Sequence, residues 1–174
     1  MPEASAEAVA KAVAEQIVKS LSAQRKTIAA AESCTGGMAA DLIVCVPGAS
    51  KVFWGSFVSY TEDAKNKMLG IPGKLIEEYG AVSRETAVAM AEGAIKKSGA
   101  SLAFSVTGLA GPESDGTGTS VGTVWIAVAE SLRSGHTNVK MFLFNGDRNE
   151  VREKAAIAAL EMVLERINNV ETSA

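Results

Sequence analysis

The sequence predicts an α/β fold: a mixed, mainly parallel five-stranded sheet with helices on both faces and a strand hairpin near the C-terminus. Two observations carry this reading. Short runs poor in charge and rich in Ala, Val, Ile and aromatics alternate with stretches of helical periodicity, in the order α β α β α α β β β α. Hydrophobic residues make up 47% of the 174 positions and aromatics only 5%, so the interior must be built from aliphatic side chains, which suits helices laid on a sheet. Residues 1–174 are read as a single domain, a length sufficient for one core.

Each element follows from its residues. Val9, Val13, Ile17 and Leu21 recur four apart from Ser5 to about Leu21 and mark a helical stripe. Thr27 to Ala31 is a charge-free run read as a buried strand, and Met38 to about Val46 a helix stopped by Pro47-Gly48. Val52 to Tyr60 is rich in aromatic and β-branched residues and reads as a second strand. Two short helical pieces flank Pro72, and Ser83 caps a helix with Ala87, Ala91, Ala94 and Ile95 on one face, ended by Gly99. Leu102 to Val106 is the third strand. Val121 to Ala129 and Val139 to Phe144 form a hairpin around Ser134-Gly135-His136. Asp147 and Glu150 open the last helix with a capping-box pattern, and Leu160, Val163, Leu164 and Ile167 line its buried side.

Charge and cysteine content exclude several function classes. The formal net charge is -3 and the pI about 5.3, with no basic run to follow a phosphate backbone, so nucleic acid is not expected as a partner. No stretch reaches membrane-spanning length, and the first residues lack the apolar core of a secretion signal. Cys34 and Cys45 are too few for a zinc site and are not expected to pair. A cytoplasmic location, away from the membrane, is the expectation.

Three polar, glycine-containing turns follow strand ends, at Ser33, after Tyr60 and at Thr107. In open α/β sheets such turns converge on one crevice. Glu32-Ser33-Cys34-Thr35-Gly36-Gly37 leads from a strand into a helix, where free N–H groups can hold a phosphate or an oxyanion; equally, Ser33 or Thr35 could simply cap the helix. His136 is the single histidine and falls in the hairpin turn, which argues against a Ser/His/Asp triad and a histidine-rich metal site. A nucleophilic Ser33 then needs another base. Lys65 can serve if it is desolvated, and Tyr60 lies nearby in sequence; the competing reading of Lys65 is a solvated lysine of EDAKNK. Cys34 is a second candidate nucleophile, with packing the simpler role. Thr107, Gly108 and Gly111 offer a hydroxyl and open backbone donors. Arg148 either meets a ligand phosphate or pairs with Glu150 or Glu153.

The motifs AESCTGG (31–37), FWGSFVSYTEDAKNKMLG (53–70), GAVSRETAVAMAEGA (80–94), FSVTGLAGP (104–112), VGTVWIAVA (121–129) and FNGDRNEVRE (144–153) together resemble the CinA C-terminal domain family over residues 10–167. That resemblance implies hydrolysis of the carboxamide of nicotinamide mononucleotide to nicotinate mononucleotide and ammonia, with no metal or organic cofactor. It implies Ser33 as nucleophile, Lys65 as its base, Tyr60 positioning or relaying the proton, Thr107 in the substrate site and Arg148 on a phosphate or oxyanion. Glu32, Thr35, Gly36, Gly37 and Gly108 are read as completing the substrate site, the amides near Gly36 holding the oxyanion and Glu32 favouring a cationic pyridinium. The loop ESDGTGTS at 113–120 departs from the Gly-Gly-Thr-Pro-type loop associated with the family. Many relatives carry a further domain in front, whereas only a helix precedes the first strand here, so the activity is expected to be self-contained.

The competing function is a non-catalytic nucleotide-binding or regulatory domain that keeps fold and turns. A nucleophile paired with a base favours the enzyme. The aromatic strand around Phe53 and Trp54 suggests a homo-oligomer.

Overall fold

Alternation along five strands builds this molecule. The computed structural model describes residues 5–131 and 137–171, the side chains of 170 and 171 excepted. The strands are β1 (Ile28–Glu32), β2 (Phe53–Val58), β3 (Leu102–Gly108), β4 (Thr123–Glu130) and β5 (Thr137–Leu143), and they form one sheet in the order β2-β1-β3-β4-β5. β1 pairs in parallel with both β2 and β3, whereas β3–β4 and β4–β5 are antiparallel. The pairings are thus evenly split, while four of the five strands point the same way.

The helices are α1 (Ala6–Gln24), α2 (Met38–Val44), α3 (Glu62–Leu69), α4 (Gly73–Tyr79), α5 (Arg84–Ser98) and α6 (Arg148–Glu171), with a 3-10 turn at Ala49–Lys51. Strand side chains alternate between faces, and here the two faces differ in size. Ile28 and Ala30, Leu102, Phe104 and Val106, and Val124, Ile126 and Val128 meet α1, α2 and α6. On the other side Ala29, Ala31, Ala103, Ala127 and Ala129 present methyl groups to Ala87, Met90, Ala91 and Ala94 of α5 and to Leu69, Ile71 and Ile76 around α3 and α4. An alanine wall brings α5 close to the sheet. Gly93 belongs to the same tight packing, because a Cβ there would lie 2.6 Å from the Leu69 carbonyl oxygen.

The caps follow the sequence closely. Ser83 Oγ accepts from Thr86 N at 3.1 Å. Asp147 Oδ1 accepts from the Asn149 and Glu150 amides while Glu150 Oε2 accepts from Asp147 N at 2.7 Å, a complete capping box. One detail differs from expectation. The buried face of α1 centres on Ala10, Ala14, Ile17, Val18 and Leu21, leaving Val9 and Val13 at its margin, because alanines that a hydrophobicity stripe undervalues make the close contact with α6. The turn at Ser134-Gly135-His136 lies outside the described residues. β2 is an edge strand, and Trp54 stacks on Phe57 there with 52% of its surface exposed.

Candidate active site

The three parallel strands end level. Glu32 is in register with both Val58 and Val106, and the chain leaves β1 under hydrogen bonds from Ser33 N to Val106 O (2.9 Å) and from Ser59 N to Glu32 O (2.8 Å). The turns after β1, β2 and β3 therefore open on one rim of the sheet, the expected place for a ligand.

Thr61 caps α3 by accepting from Ala64 N at 3.1 Å, and this sets which way the next helical turn faces. Lys67 points to solvent and pairs with Asp63 at 2.8 Å. Lys65, two residues earlier, points inward and is 1% exposed. Its Nζ lies 2.9 Å from Ser33 Oγ, 3.0 Å from the Ser59 carbonyl oxygen and 3.5 Å from that of Tyr60. No ion pair among the described residues includes it. Burial accordingly pulls its ammonium down from the ordinary 10.5 to about 8. The three oxygens accept from the three N–H groups of the ammonium, and once it loses a proton the amine keeps two N–H groups for the carbonyls and turns its lone pair to the serine hydroxyl. Such a lysine can take that proton.

A pocket of about 190 Å³ opens over this pair, walled by Cys34, Tyr60, Ala81, Val82, Thr107, Gly108, Leu109, Ala110 and Arg148. A wider hollow of about 520 Å³ beside Cys45, Pro47 and Phe53 contains no acid or base other than that thiol. Thr107 is a wall residue whose hydroxyl donates to Ala81 O at 2.7 Å. Gly108 is required by packing as much as by the pocket, since a Cβ would lie 2.7 Å from Val124 Cγ2. Arg148 reaches neither Glu150 nor Glu153; it donates from Nη2 to the Tyr60 hydroxyl at 2.8 Å and from Nη1 to Gly111 O. Burial pushes the Cys34 thiol up to about 11, so it is neutral at physiological pH and serves as packing.

Four expectations need correction. Glu32 does not face the pocket: it is fully buried, and its carboxylate accepts from Gly37 N, Ala39 N, Ala40 N and Ser56 Oγ at 3.0–3.1 Å. It closes the start of α2, a task assigned above to Ser33 or Thr35, because its long side chain folds forward over the turn. Gly36 and Gly37 offer no free amide, since Gly36 N donates to Ser33 O at 3.1 Å and Gly37 N to Glu32; their φ of 63° and 100° makes the turn itself. Thr35 is fully buried, and its hydroxyl has no partner among the described residues. The Tyr60 hydroxyl contacts Arg148 rather than Lys65 or Ser33, so Tyr60 meets the base only through its main-chain carbonyl.

The N–H groups in this turn without an oxygen acceptor among the described residues are those of Cys34 and Thr35. Both lie near enough to the Cys34 sulfur to oppose the effect of burial on it. Sequence reading also passed over Arg152, whose guanidinium donates from Nε to Cys34 O and from Nη2 to Thr35 O, each at 3.1 Å. Its place one turn after Arg148 on the same helix was the available signal.

The CinA C-terminal domain model matches residues 10–167. The chain belongs to that family. A competence-damage inducible protein of Symbiobacterium thermophilum is 45% identical over 85% of this chain and 36% of its own length, and a CinA-like protein of Thermotoga maritima is 43% identical over 84% and 35%. The CinA domain described here thus spans about a third of the length of these relatives. Among solved structures, the competence/damage inducible protein of Agrobacterium tumefaciens superposes with a TM-score of 0.86 at 37% identity, covering 92% of this chain and 96% of that one. The competence damage-inducible protein A of Klebsiella pneumoniae gives 0.87 at 30% identity, covering 91% and 97%. No helix among the described residues is long and apolar enough to cross a membrane.

Proposed function

We propose that this CinA domain is an amidohydrolase that converts nicotinamide mononucleotide to nicotinate mononucleotide and ammonia by serine/lysine chemistry. The observation that carries the reading is the 2.9 Å contact between Ser33 Oγ and a buried Lys65 Nζ that joins no ion pair among the described residues, at the base of a pocket. A module that only binds has no use for a lysine kept close to neutral beside a hydroxyl. Carboxamide hydrolysis through an acyl-serine uses both groups. The choice of mononucleotide rests on the family resemblance and on the pocket, which is smaller than the roughly 300–1,000 Å³ of sites that enclose a whole ligand. It takes the pyridine carboxamide and leaves the phosphate at the mouth, toward the exposed Arg148.

In this reading neutral Lys65 accepts the Ser33 proton as Oγ bonds to the amide carbon. The negative charge that develops on the amide oxygen meets the N–H groups of Cys34 and Thr35. As the C–N bond breaks, the Lys65 ammonium returns its proton to the leaving nitrogen and ammonia departs. Water then adds to the ester carbon, giving a proton to Lys65 and releasing carboxylate as Ser33 recovers its hydrogen. The pyridinium charge of the substrate activates the amide and, near Lys65, further favours the neutral amine.

Ammonia release from nicotinamide mononucleotide by the purified domain tests this directly. Unmodified protein is expected to release ammonia, with Ser33→Ala and Lys65→Met each at least about 10³-fold slower. Release equal in all three proteins, or absent from the unmodified one, overturns the reading.

A further inference from the structure

Arg152 is half-buried, belongs to no ion pair among the described residues and does not line the pocket. A guanidinium in that position is normally matched to an anion. Instead it spans more than a hundred positions of sequence to grip two consecutive carbonyls, those of Cys34 and Thr35, with Asn149 Oδ1 3.3 Å from its Nη1.

Peptide geometry turns this grip into a constraint on the residues beside Ser33. In a trans peptide the C=O and N–H point in opposite directions. With the Cys34 carbonyl drawn to Arg152, the Thr35 N–H is turned away from it. With the Thr35 carbonyl held as well, the Gly36 N–H is turned toward Ser33 O, where it donates at 3.1 Å. That bond fixes the Ser33–Cys34 peptide and with it the Cys34 N–H. The two N–H groups left with only a thiol for company are thus the two whose directions Arg152 helps to set, one directly and one through Gly36, the Thr35 carbonyl being shared with the Met38 amide at 3.2 Å. A cation on the carbonyl side also polarises the peptide groups and strengthens their N–H ends as donors.

We infer that Arg152 is a positioning residue for acyl transfer at Ser33: it holds the Cys34 and Thr35 amides as an oxyanion-binding pair without entering the pocket. The inference rests on the serine/lysine reading above but does not depend on which amide or ester is the substrate.

The test compares Arg152→Met and Arg152→Lys with unmodified protein and Ser33→Ala in two assays: ammonia from nicotinamide mononucleotide, and nitrophenolate from 4-nitrophenyl acetate. Loss of aligned oxyanion donors costs roughly 10²–10³ in kcat. Arg152→Met is therefore expected to lower kcat about 100-fold in both assays with KM changed less than about threefold, and to leave the pH midpoint set by Lys65 in place. Arg152→Lys, which keeps a cation but loses the fork, is expected to fall between. Urea midpoints are measured alongside, and Arg152→Lys supplies the comparison if Arg152→Met does not fold. Unchanged kcat in a folded variant, or a loss confined to KM, overturns the positioning role. So does nitrophenolate release that is indifferent to Ser33→Ala. Ser33-dependent release that falls in the Arg152 variants, with no ammonia from any protein, upholds Arg152 and sinks the mononucleotide reading alone.

Discussion

Replacing Lys65 by Met is expected to stabilise the fold at neutral pH while abolishing turnover. Inside the protein the ammonium is held at about 8 rather than 10.5, and each pH unit of that gap corresponds to about 1.4 kcal/mol. Keeping the lysine protonated and buried therefore costs the folded state on the order of 3 kcal/mol. Methionine fills similar space without charge, but leaves the Ser59 carbonyl without its donor, a loss of about 1–3 kcal/mol. The net change at pH 7 is a gain of up to about 2 kcal/mol. The pH dependence is sharper than the net value. Because the folded-state value is the lower one, the burden is fully present below about pH 8, shrinks as pH rises and vanishes above about 10.5, where the amine is neutral in both states. Urea unfolding of both proteins across this range is expected to show the advantage of Lys65→Met falling by about 1.4 kcal/mol per pH unit, for a total of about 3 kcal/mol. Groups common to both proteins cancel in the difference. A stability difference flat with pH, or an advantage that grows as pH rises, refutes the assignment of Lys65 as a desolvated amine.

The rate of ammonia release is expected to rise about tenfold per pH unit below about 8 and then level off, since only unprotonated Lys65 accepts the serine proton; a profile flat from about pH 6 to 8 tells against it. The midpoint for kcat is expected below that for kcat/KM, because the bound pyridinium opposes protonation of the nearby lysine. Glu32→Gln is expected to destabilise the protein by about 2–3 kcal/mol in urea unfolding, because an amide cannot serve three backbone N–H groups and Ser56 as a carboxylate does. A loss under about 0.5 kcal/mol would show that the turn does not depend on the charge.

What the sequence made readable was whatever depends on local chemistry. Ser83 and Asp147 with Glu150 marked helix starts by side chains that bond within a few residues, Gly99 marked a helix end by its left-handed backbone, and the structure has helices beginning or ending there. Strand existence was equally plain, because β-branched and charge-free runs carry their own period. What stayed hidden depended on side-chain direction. Lys65 and Lys67 look alike in EDAKNK, and only the docking of α3 on the sheet makes one a solvated ion-pair member and the other a buried amine. Glu32 and Arg152 were misread or missed for the same reason: both are long side chains bonded to backbone atoms, and backbone acceptors and donors leave no trace in residue identity. The alternation of Ala29 and Ala31 against Ile28 and Ala30 was present in the letters, yet the run is apolar on both sides, so it did not reveal which face receives α5.

The direction of the last two strands has its own consequence. β4 runs against β3, and β5 runs against β4, so the chain turns back twice and regains the rim where β1, β2 and β3 end. One reversal would have started α6 at the far rim, beside the Leu102–Glu130 end of the sheet, with both of its arginines out of reach of the serine turn. The hairpin therefore acts by parity: lengthening the sheet by strand pairs at this point preserves the delivery of Arg148 and Arg152, whereas adding or deleting a single strand removes them both together.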